Sequence, residues 1–197
     1  MDSTDMTAGR REDINPSGEE FLAKRIALLT NCIPPYLLPT IERLAGSVEF
    51  LRVFLSTPME LDRSWSPVWN SLDVKVQRTI TTIHQRAYKQ GFRMKFYRHF
   101  PYDTLPLLYK YRPDVTISAQ LGFRTVQAIA YRLLHPDSRL VIWADLSEHT
   151  EREIGTFRTM TRRFLVSWAD AVLVIGNSGA RYIKQLGVPS ERIVTTP

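Results

Sequence analysis

Apolar and polar positions alternate along this chain with two different periods. Residues 25–29 form a nearly continuous apolar run, which is typical of a strand buried on both faces. Pro34 and Pro35 interrupt the run, and apolar residues then recur at helical spacing over residues 37–44. This order predicts a strand, a turn and a helix in succession.

The same alternation continues through the rest of the chain. Strands are predicted at residues 48–56, 115–118, 140–143, 171–175 and 193–194, and helices at 105–111, 123–134, 151–168 and 180–186. Residues 57–73 are irregular, and residues 74–83 favour β structure but are ambiguous in type. Repeated strand–helix–strand units of this length predict an α/β fold, a Rossmann-like, doubly wound parallel sheet with helices on both faces.

Two of the predicted helices carry an apolar stripe on one side. The stripe at residues 123–134 consists of Val126, Ile129, Ala130 and Leu133. The stripe at residues 151–168 consists of Ile154, Phe157, Met160, Phe164 and Trp168, and Arg152, Arg162 and Arg163 point away from it. We expect both stripes to face the core. The arginines are expected to form a solvated face or, alternatively, to attract an anionic lipid surface.

The composition is that of an ordinary folded domain. The chain has 197 residues, 44% of them hydrophobic and 23% charged, which is enough for one sizeable core. A single cysteine, Cys32, excludes an internal disulfide framework and a cysteine metal cluster, so no metal site is predicted. The sequence has neither the roughly 18 to 20 consecutive apolar residues of a membrane span nor a signal peptide, so the cytoplasm is the default location.

Charge separates the first 20 residues from the rest. They contain two basic and six acidic residues, which give them a net charge of −4. Because the net charge of the whole chain is +6, residues 21–197 carry a net charge of +10. With few apolar residues, residues 1–20 are predicted to be a disordered acidic tail, and residues 21–197 to form the domain. No nucleic-acid motif accompanies the basic excess, so no nucleic-acid partner is predicted. The absence of a Gly-x-Gly-x-x-Gly motif counts against a dinucleotide-dependent dehydrogenase.

Ligands of an open parallel sheet bind beyond the carboxyl ends of its strands, so the loops there are candidate sites. Four loops qualify, at residues 31–36, 119–125, 144–150 and 176–181. Gly122 and Gly176, in the second and fourth of these loops, suit helix N-termini, where N–H groups attract phosphate or hydroxyl oxygens, although tight turning alone also explains them. The candidate substrate-binding residues are Pro35, Tyr36, Gln120, Gly122, Phe123, Arg124, Glu148, Gly176, Asn177 and Ser178.

Asp145 and His149 are the candidate catalytic residues. A carboxylate at the mouth of a partly buried site can polarise an acceptor hydroxyl, and a histidine can serve as acid or base. The structural alternative is that Asp145 or Ser147 caps a helix that begins near residues 148–151.

These loops carry a resemblance to a known family. The segments IPPYLLP (33–39), YRPDVTISAQ (111–120), WADLSEHT (143–150) and WADAVLVIGNS (168–178) together resemble the N-terminal domain of family 4 glycosyltransferases with the GT-B fold. The resemblance runs from about Lys24 to Pro197. It implies a retaining transfer from a nucleotide-diphosphate sugar, used as a substrate rather than a cofactor, to a glycan or lipid-linked acceptor.

The resemblance also implies a division of labour between two halves. In the family the half seen here binds mainly the acceptor, whereas the C-terminal half holds the donor, so we expect this chain to be inactive alone. The glycine pair common in the first loop is replaced here by Ile33, Pro34 and Pro35, and proline cannot donate an N–H to a phosphate. Three interpretations are open: half of a split enzyme that needs a separate donor-binding chain, a non-catalytic binding subunit, or a truncated product.

Overall fold

The computed structural model describes residues 24–60, 62–63, 65, 69, 71–87, 93–149, 151 and 155–196. The strands are β1 (Arg25–Thr30), β2 (Phe50–Leu55), β3 (Asp73–Val76), β4 (Thr79–Ala87), β5 (Arg93–Pro101), β6 (Val115–Ala119), β7 (Arg139–Ala144), β8 (Ala171–Ile175) and β9 (Ile193–Thr196). The α-helices are α1 (Leu38–Gly46), α2 (Thr104–Tyr111), α3 (Phe123–Leu134), α4 (Thr156–Ser167) and α5 (Gly176–Gln185), with a 3-10 turn at Ser190–Arg192. The predicted acidic tail at residues 1–20 lies outside the described residues.

Seven strands form one parallel sheet in the order β3-β2-β1-β6-β7-β8-β9. The chain builds outward from β1 to β3, returns to place β6 on the other side of β1, and continues to β9. The point between β1 and β6 is therefore a topological switch point, where ligand crevices form. The predicted Rossmann-like, doubly wound parallel sheet is confirmed.

The sheet is buried on both faces because successive strand residues point to opposite sides. Along β1, Ala27 and Leu29 pack into one apolar cluster, and Ile26 and Leu28 pack into another. The first cluster contains residues of α2, α3, α4 and α5, whereas the second contains Ile41 of α1. The continuous apolar run at residues 25–29 thus has the two-sided burial that its pattern predicts.

An antiparallel hairpin stands apart from the main sheet. The ambiguous segment 74–83 divides between the edge strand β3 and the start of β4, and β4 pairs with β5 from Thr79↔Pro101 to Ala87↔Arg93. The periodicity did not predict β5. Residues 78–101 contain six Lys or Arg and no Asp or Glu, so this hairpin holds much of the basic excess of the body.

Two helices begin elsewhere than the pattern predicts. The helix predicted at 151–168 is Thr156–Ser167 in the structure, and its N-cap is Gly155. The helix predicted at 180–186 already begins at Gly176. Polar and small residues of its first turn, Asn177 and Ser178, give no apolar periodicity, which is why the pattern missed that turn.

The apolar stripe of α3 does not face the core as predicted. Val126 and Leu133 are exposed, although Ile129 is buried. Much of the buried face is polar, since it consists of Arg124, Thr125, Gln127, Ala128, Ile129 and Tyr131. Gln127 fits there because its amide nitrogen donates to the carbonyl of Pro101 at 2.6 Å. Hydrogen bonding therefore determines which face of α3 is buried, and the spacing of apolar residues does not predict it.

The stripe of α4 is also turned away from the core. Phe157, Met160 and Phe164 are 85%, 66% and 57% exposed, whereas Arg162 is buried beside Leu165 and Val166. The Arg162 guanidinium donates to the Glu151 carboxylate and, at 2.9 Å, to the Tyr182 hydroxyl. This pairing allows an arginine to occupy the inner face and corrects its predicted solvation; Arg163 is exposed as expected. The other members of the prediction, Arg152 and Ile154, lie outside the described residues.

Candidate functional site

A cleft of about 590 Å³ lies at the carboxyl ends of the central strands. The ends of β1, β6, β7 and β8 contribute to it, as the topological switch point predicts. Its lining is mainly apolar and aromatic, with a few polar groups, which is typical of small-molecule sites. The lining residues are Leu28, Thr30, Asn31, Cys32, Pro34, Pro35, Tyr36, Leu37, Glu60, Arg63, Trp65, Ala119, Gln120, Trp143, Asp145 and Ile175.

The loop after β1 places Pro35 and Tyr36 in the cleft wall. Tyr36 is 83% exposed, so its ring is available to a ligand. The next two backbone N–H groups, of Leu37 and Leu38, both donate to the carbonyl of Pro34, at 3.0 and 3.3 Å. Because Pro34 and Pro35 have no N–H and the N–H groups of Leu37 and Leu38 are engaged in a turn, these four positions offer a ligand no backbone donor.

Arg124 lies behind the cleft wall and joins three strand ends. It is the second residue of α3, and its side chain is buried. The guanidinium donates to the Ser56 hydroxyl at 2.8 Å, to Asn31 Oδ1 at 2.5 Å and to Gln120 Oε1 at 3.3 Å. Burial lowers the pKa of Arg124 to about 10, and the charge of a Cys32 thiolate would oppose that shift. Arg124 remains a cation at neutral pH.

Asn31 and Gln120 meet where β1 and β6 end. Asn31 Nδ2 donates to Gln120 Oε1 at 3.0 Å, a contact that the parallel pairing of the two strands makes available. Gln120 has a φ of 67°, which is uncommon for a residue with a side chain. Asn31 was inside a predicted loop but was not predicted individually.

Asp145 lines the cleft at the end of β7, whereas the other two candidates of its loop do not. The Glu148 carboxylate accepts hydrogen bonds from Arg181 at 2.9 Å and Gln185 at 3.2 Å, so it fastens this loop to α5. His149 is exposed and outside the lining. Because the N-cap of α4 is Gly155, the prediction that Asp145 or Ser147 caps a helix starting at 148–151 is wrong.

The glycine loops have structural contacts of their own. Gly122 is the N-cap of α3, and its N–H donates to Thr125 Oγ1 at 3.3 Å. Phe123 points to the hairpin, where its ring lies 6.1 Å from that of Phe100. Neither residue lines the cleft. That Gly122 and Phe123 contact a ligand remains a prediction.

The loop after β8 comes closest to the cleft through Ile175. Gly176 has a φ of 62°, a left-handed conformation that favours glycine, and it begins α5. Asn177 is exposed, and Ser178 Oγ is buried without a hydrogen-bond partner in the described part of the chain. These three residues adjoin the cleft along the chain but are not part of its lining.

One wall of the cleft comes from a segment in which the sequence pattern predicts neither a helix nor a strand. Glu60, Arg63 and Trp65 belong to the irregular segment 57–73, and Arg63 Nε lies 3.5 Å from Glu60 Oε2. His99 of the hairpin approaches Glu60, with 3.5 Å between Nε2 and Oε1. Burial lowers the pKa of His99, although the hydrogen bond and charge of Glu60 oppose that effect. No local signal predicts the contact between His99 and Glu60, since it joins distant segments.

Cys32 is half-buried at the edge of this charged group. Burial and the negative charge of Glu60 raise the pKa of the thiol, while Arg63 and Arg124 oppose the shift. The neutral thiol is a poor nucleophile, so the cleft does not present an activated cysteine. Within the described ranges no group of three or more His, Cys, Asp or Glu side chains could hold a metal ion.

No family model and no curated protein matches this sequence. Solved structures do match. The lipopolysaccharide outer core galactosyltransferase WaaB, in its apo form, has a TM-score of 0.55 and 11% identity, and the match covers 86% of this chain and 44% of WaaB. HepE from Anabaena in complex with UDP has a TM-score of 0.54 and 11% identity, over 87% of this chain and 43% of HepE. HepE in complex with UDP and glucose has a TM-score of 0.53 and 14% identity, and the match covers 87% of this chain and 44% of HepE.

Identities this low show the fold alone. WaaB is a galactosyltransferase, and the described α/β sheet of this chain has the GT-B-like fold that the sequence resemblance implies. This chain spans less than half the length of the structures that it matches.

Proposed function

We propose that this chain forms the N-terminal, acceptor-binding half of a family 4 glycosyltransferase that uses a nucleotide-diphosphate sugar and retains the anomeric configuration. The supporting observation is the cleft at the switch point of a GT-B-like sheet, with Asp145 in its wall. HepE, which shares the fold, has been crystallised with UDP and glucose. The occupant of the cleft is a glycan or lipid-linked acceptor.

The cleft offers a sugar aromatic surfaces and a carboxylate. Tyr36, Trp65 and Trp143 supply aromatic walls on which a sugar ring can lie, and Asp145 is available to an acceptor hydroxyl. In the transfer, the acceptor oxygen forms a bond to the anomeric carbon as the bond to the nucleotide diphosphate breaks. Asp145 accepts the proton of the attacking hydroxyl, and the nucleotide diphosphate leaves with the electrons of the broken bond.

The donor binds to a second half, in the same or a separate chain. This chain corresponds to under half of each neighbour, and the first loop engages the amides of Leu37 and Leu38 in a turn. We therefore expect the 197-residue chain alone to bind UDP-glucose weakly or not at all and to be inactive. Calorimetry tests this, and submicromolar binding of UDP-glucose by the chain alone would overturn the division of labour.

Asp145→Asn tests the acceptor site once transfer is restored with a donor-binding half. Asparagine has the same size but cannot accept a proton, so turnover should fall by roughly 10²-fold or more, with unchanged thermal unfolding. Asp137→Asn is the matched control, because Asp137 is an exposed carboxylate before β7, at the opposite end of the strand. Unchanged turnover in Asp145→Asn, Asp145→Ala and His149→Ala alike would contradict the assignment and favour a non-catalytic binding subunit.

We also propose peripheral contact with an anionic membrane through α4. Its exposed stripe of Phe157, Met160 and Phe164 is flanked by the exposed Arg158 and Arg163. The helix contains no acidic residue. Exposed apolar residues bordered by cations favour the interface of an anionic bilayer. None of the described helices is long and apolar enough to cross a membrane.

Vesicle sedimentation tests this contact. Binding is expected to vesicles containing phosphatidylglycerol and to fall at least tenfold with phosphatidylcholine alone or after Phe157→Ser, Met160→Ser and Phe164→Ser are combined. The matched control combines Ile80→Ser, Phe96→Ser and Phe100→Ser, which removes three exposed apolar residues of the basic hairpin instead. Equal loss in both triple variants would show that the contact is not specific to α4.

A further inference from the structure

We infer that Gln120 presents its side-chain amide nitrogen to the cleft as a hydrogen-bond donor for a ligand oxygen, and that Arg124 is the positioning residue that fixes this orientation. The inference deepens the proposed function, on which it rests, by naming the group that recognises an oxygen of the acceptor. The relevant ligand chemistry is an oxygen lone pair, of either a sugar hydroxyl or a phosphoryl group.

The orientation of the Gln120 amide follows from the chemistry of its neighbours. A guanidinium has only donors, so the Gln120 atom that faces Arg124 must be the carbonyl oxygen Oε1. Asn31 Nδ2 donates to the same oxygen at 3.0 Å, which is a second constraint in the same sense. A reversed amide would place Nε2 against two sets of N–H groups. Oε1 therefore points inward.

The orientation of Asn31 is fixed by the same cation. Its Oδ1 accepts from Arg124, and its Nδ2 is engaged with Gln120. One of the two Asn31 Nδ2 hydrogens is therefore committed to Gln120. Gln120 Nε2, by contrast, donates to no acceptor among the described residues, and Gln120 lines the cleft. Both Gln120 amide hydrogens are thus available to a ligand, against one of Asn31.

The backbone of Gln120 is held as firmly as its side chain. Its N–H donates to the carbonyl of Trp143 at 2.8 Å, and its carbonyl accepts from Thr125 Oγ1 at 2.9 Å. These bonds maintain the left-handed φ of 67° at a residue that is not glycine. Backbone conformations of this kind persist where the surroundings over-determine them, and they concentrate at ligand sites.

Arg124 also strengthens the donor that it positions. Its charge has no carboxylate partner within ion-pair distance in the described part of the chain. A cation on Oε1 withdraws electron density from the amide and makes the Nε2 hydrogens better donors. A ligand oxygen is the complementary partner.

Side-chain amide NMR on the full ¹⁵N-labelled chain tests the inference directly. Glucose and inorganic phosphate are the two probes, one for hydroxyl and one for phosphoryl oxygen. The Gln120 Nε2 resonance is expected to shift with at least one probe, and by more than that of Asn31 Nδ2. A shift with glucose alone identifies a hydroxyl site, and a shift with phosphate alone identifies an anion site. No shift of Gln120 with either probe overturns the inference.

Gln120→Glu separates ligand recognition from a structural role. The carboxylate has the same shape and pairs with Arg124, so the melting temperature should not fall, yet the donor is lost and the affinity for the active probe should drop at least tenfold. Gln85→Glu, at an exposed position of the hairpin, is the matched control and should leave affinity unchanged. Undiminished affinity in Gln120→Glu would contradict the inference.

Arg124→Lys tests the positioning role. Lysine lacks the fork that reaches Ser56, Asn31 and Gln120 together, so the Gln120 amide should lose its fixed orientation, and its resonance should broaden while probe affinity falls tenfold. A sharp, unshifted Gln120 resonance in this variant would show that Arg124 does not position the amide. If the probes move Trp143 but not Gln120, this inference fails while the cleft itself remains a binding site.

Discussion

Two buried arginines on neighbouring helices of this protein have opposite surroundings. Arg162 of α4 pairs with the Glu151 carboxylate and the Tyr182 hydroxyl. Burial by itself would lower the pKa of Arg162, but these hydrogen bonds raise it above its ordinary value. Arg124 of α3 bonds only to neutral oxygens, and its pKa is lowered.

The difference separates a structural charge from one that serves a site. A paired buried charge completes the fold, and removing either partner leaves the other uncompensated. A buried cation held by neutral amides beside a cleft orients those amides towards a ligand. Position in the fold agrees, because two of the three partners of Arg124, Asn31 and Gln120, line the cleft, whereas the partners of Arg162 do not.

The largest effect is expected for Arg162→Met. It removes one buried member of the Arg162–Glu151 ion pair, and breaking such a pair should lower the free energy of unfolding by about 3–5 kcal/mol. Urea denaturation measures the change. Arg163→Met, at the exposed neighbouring position, should change stability by no more than about 0.5 kcal/mol. Equal effects of the two substitutions would mean that Arg162 is not paired as described.

Arg124→Met should destabilise less. The acceptors that it leaves behind are a hydroxyl and two amides, for which the expected loss is about 1–3 kcal/mol. The same denaturation measurement applies. A loss as large as that of Arg162→Met would indicate that Arg124 has a structural charge partner after all, and the contrast between the two arginines would fail.

Acid sensitivity should come from Asp170, a carboxylate between two arginines. Partial burial would raise the pKa of Asp170, but hydrogen bonds from Arg132, the Leu140 N–H and Arg139, together with the charge of Arg132, lower it to about 2. Asp170 therefore stabilises the folded state at pH values above its pKa in the unfolded chain. This stabilisation is lost as the pH falls from about 4 towards 2.

The difference between the ordinary pKa of 3.8 and about 2 corresponds to roughly 2 kcal/mol. Urea unfolding at pH 6 and near pH 2 measures it. Asp170→Asn should lose this amount at pH 6 and should show a correspondingly smaller decline on acidification. An identical decline in the two proteins would place the acid sensitivity elsewhere.

The smallest effects are expected on the outer side of α4. Phe157→Ser and Phe164→Ser remove exposed rings and should each change the free energy of unfolding by no more than about 0.5 kcal/mol. Leu165→Ala, on the buried side of the same helix, should cost about 2–5 kcal/mol. Comparable losses on both sides, measured by denaturation, would show that the outer stripe is covered in solution.

The order of strands and helices could be predicted because buried parallel strands are apolar at nearly every position. The runs at 171–175 and 123–134 match β8 and α3 in their bounds. The loops after the strands are the places where the sequence predicts ligand sites, and Pro35, Tyr36, Gln120 and Asp145 line one cleft. The roles of these residues in binding and transfer stay predictions.

Other features depend on partners that are distant in the sequence. Residues 74–83 could not be assigned alone, because β4 is defined by pairing with β5. The cleft wall formed by Glu60, Arg63 and Trp65 comes from a segment without periodicity. The apolar spacing also predicts the wrong buried face for α4. Arg162 can be buried there because Glu151 and Tyr182 accept its hydrogen bonds.

The sequence by itself determined the parallel sheet, the strand ends where the cleft forms and the polar groups near them, because local periodicity follows from backbone geometry. Only the tertiary structure decided which charges are buried and what they contact. Arg124 and Arg162 look alike in the sequence, and their difference arises from whether folding places a neutral amide or a carboxylate within hydrogen-bond distance.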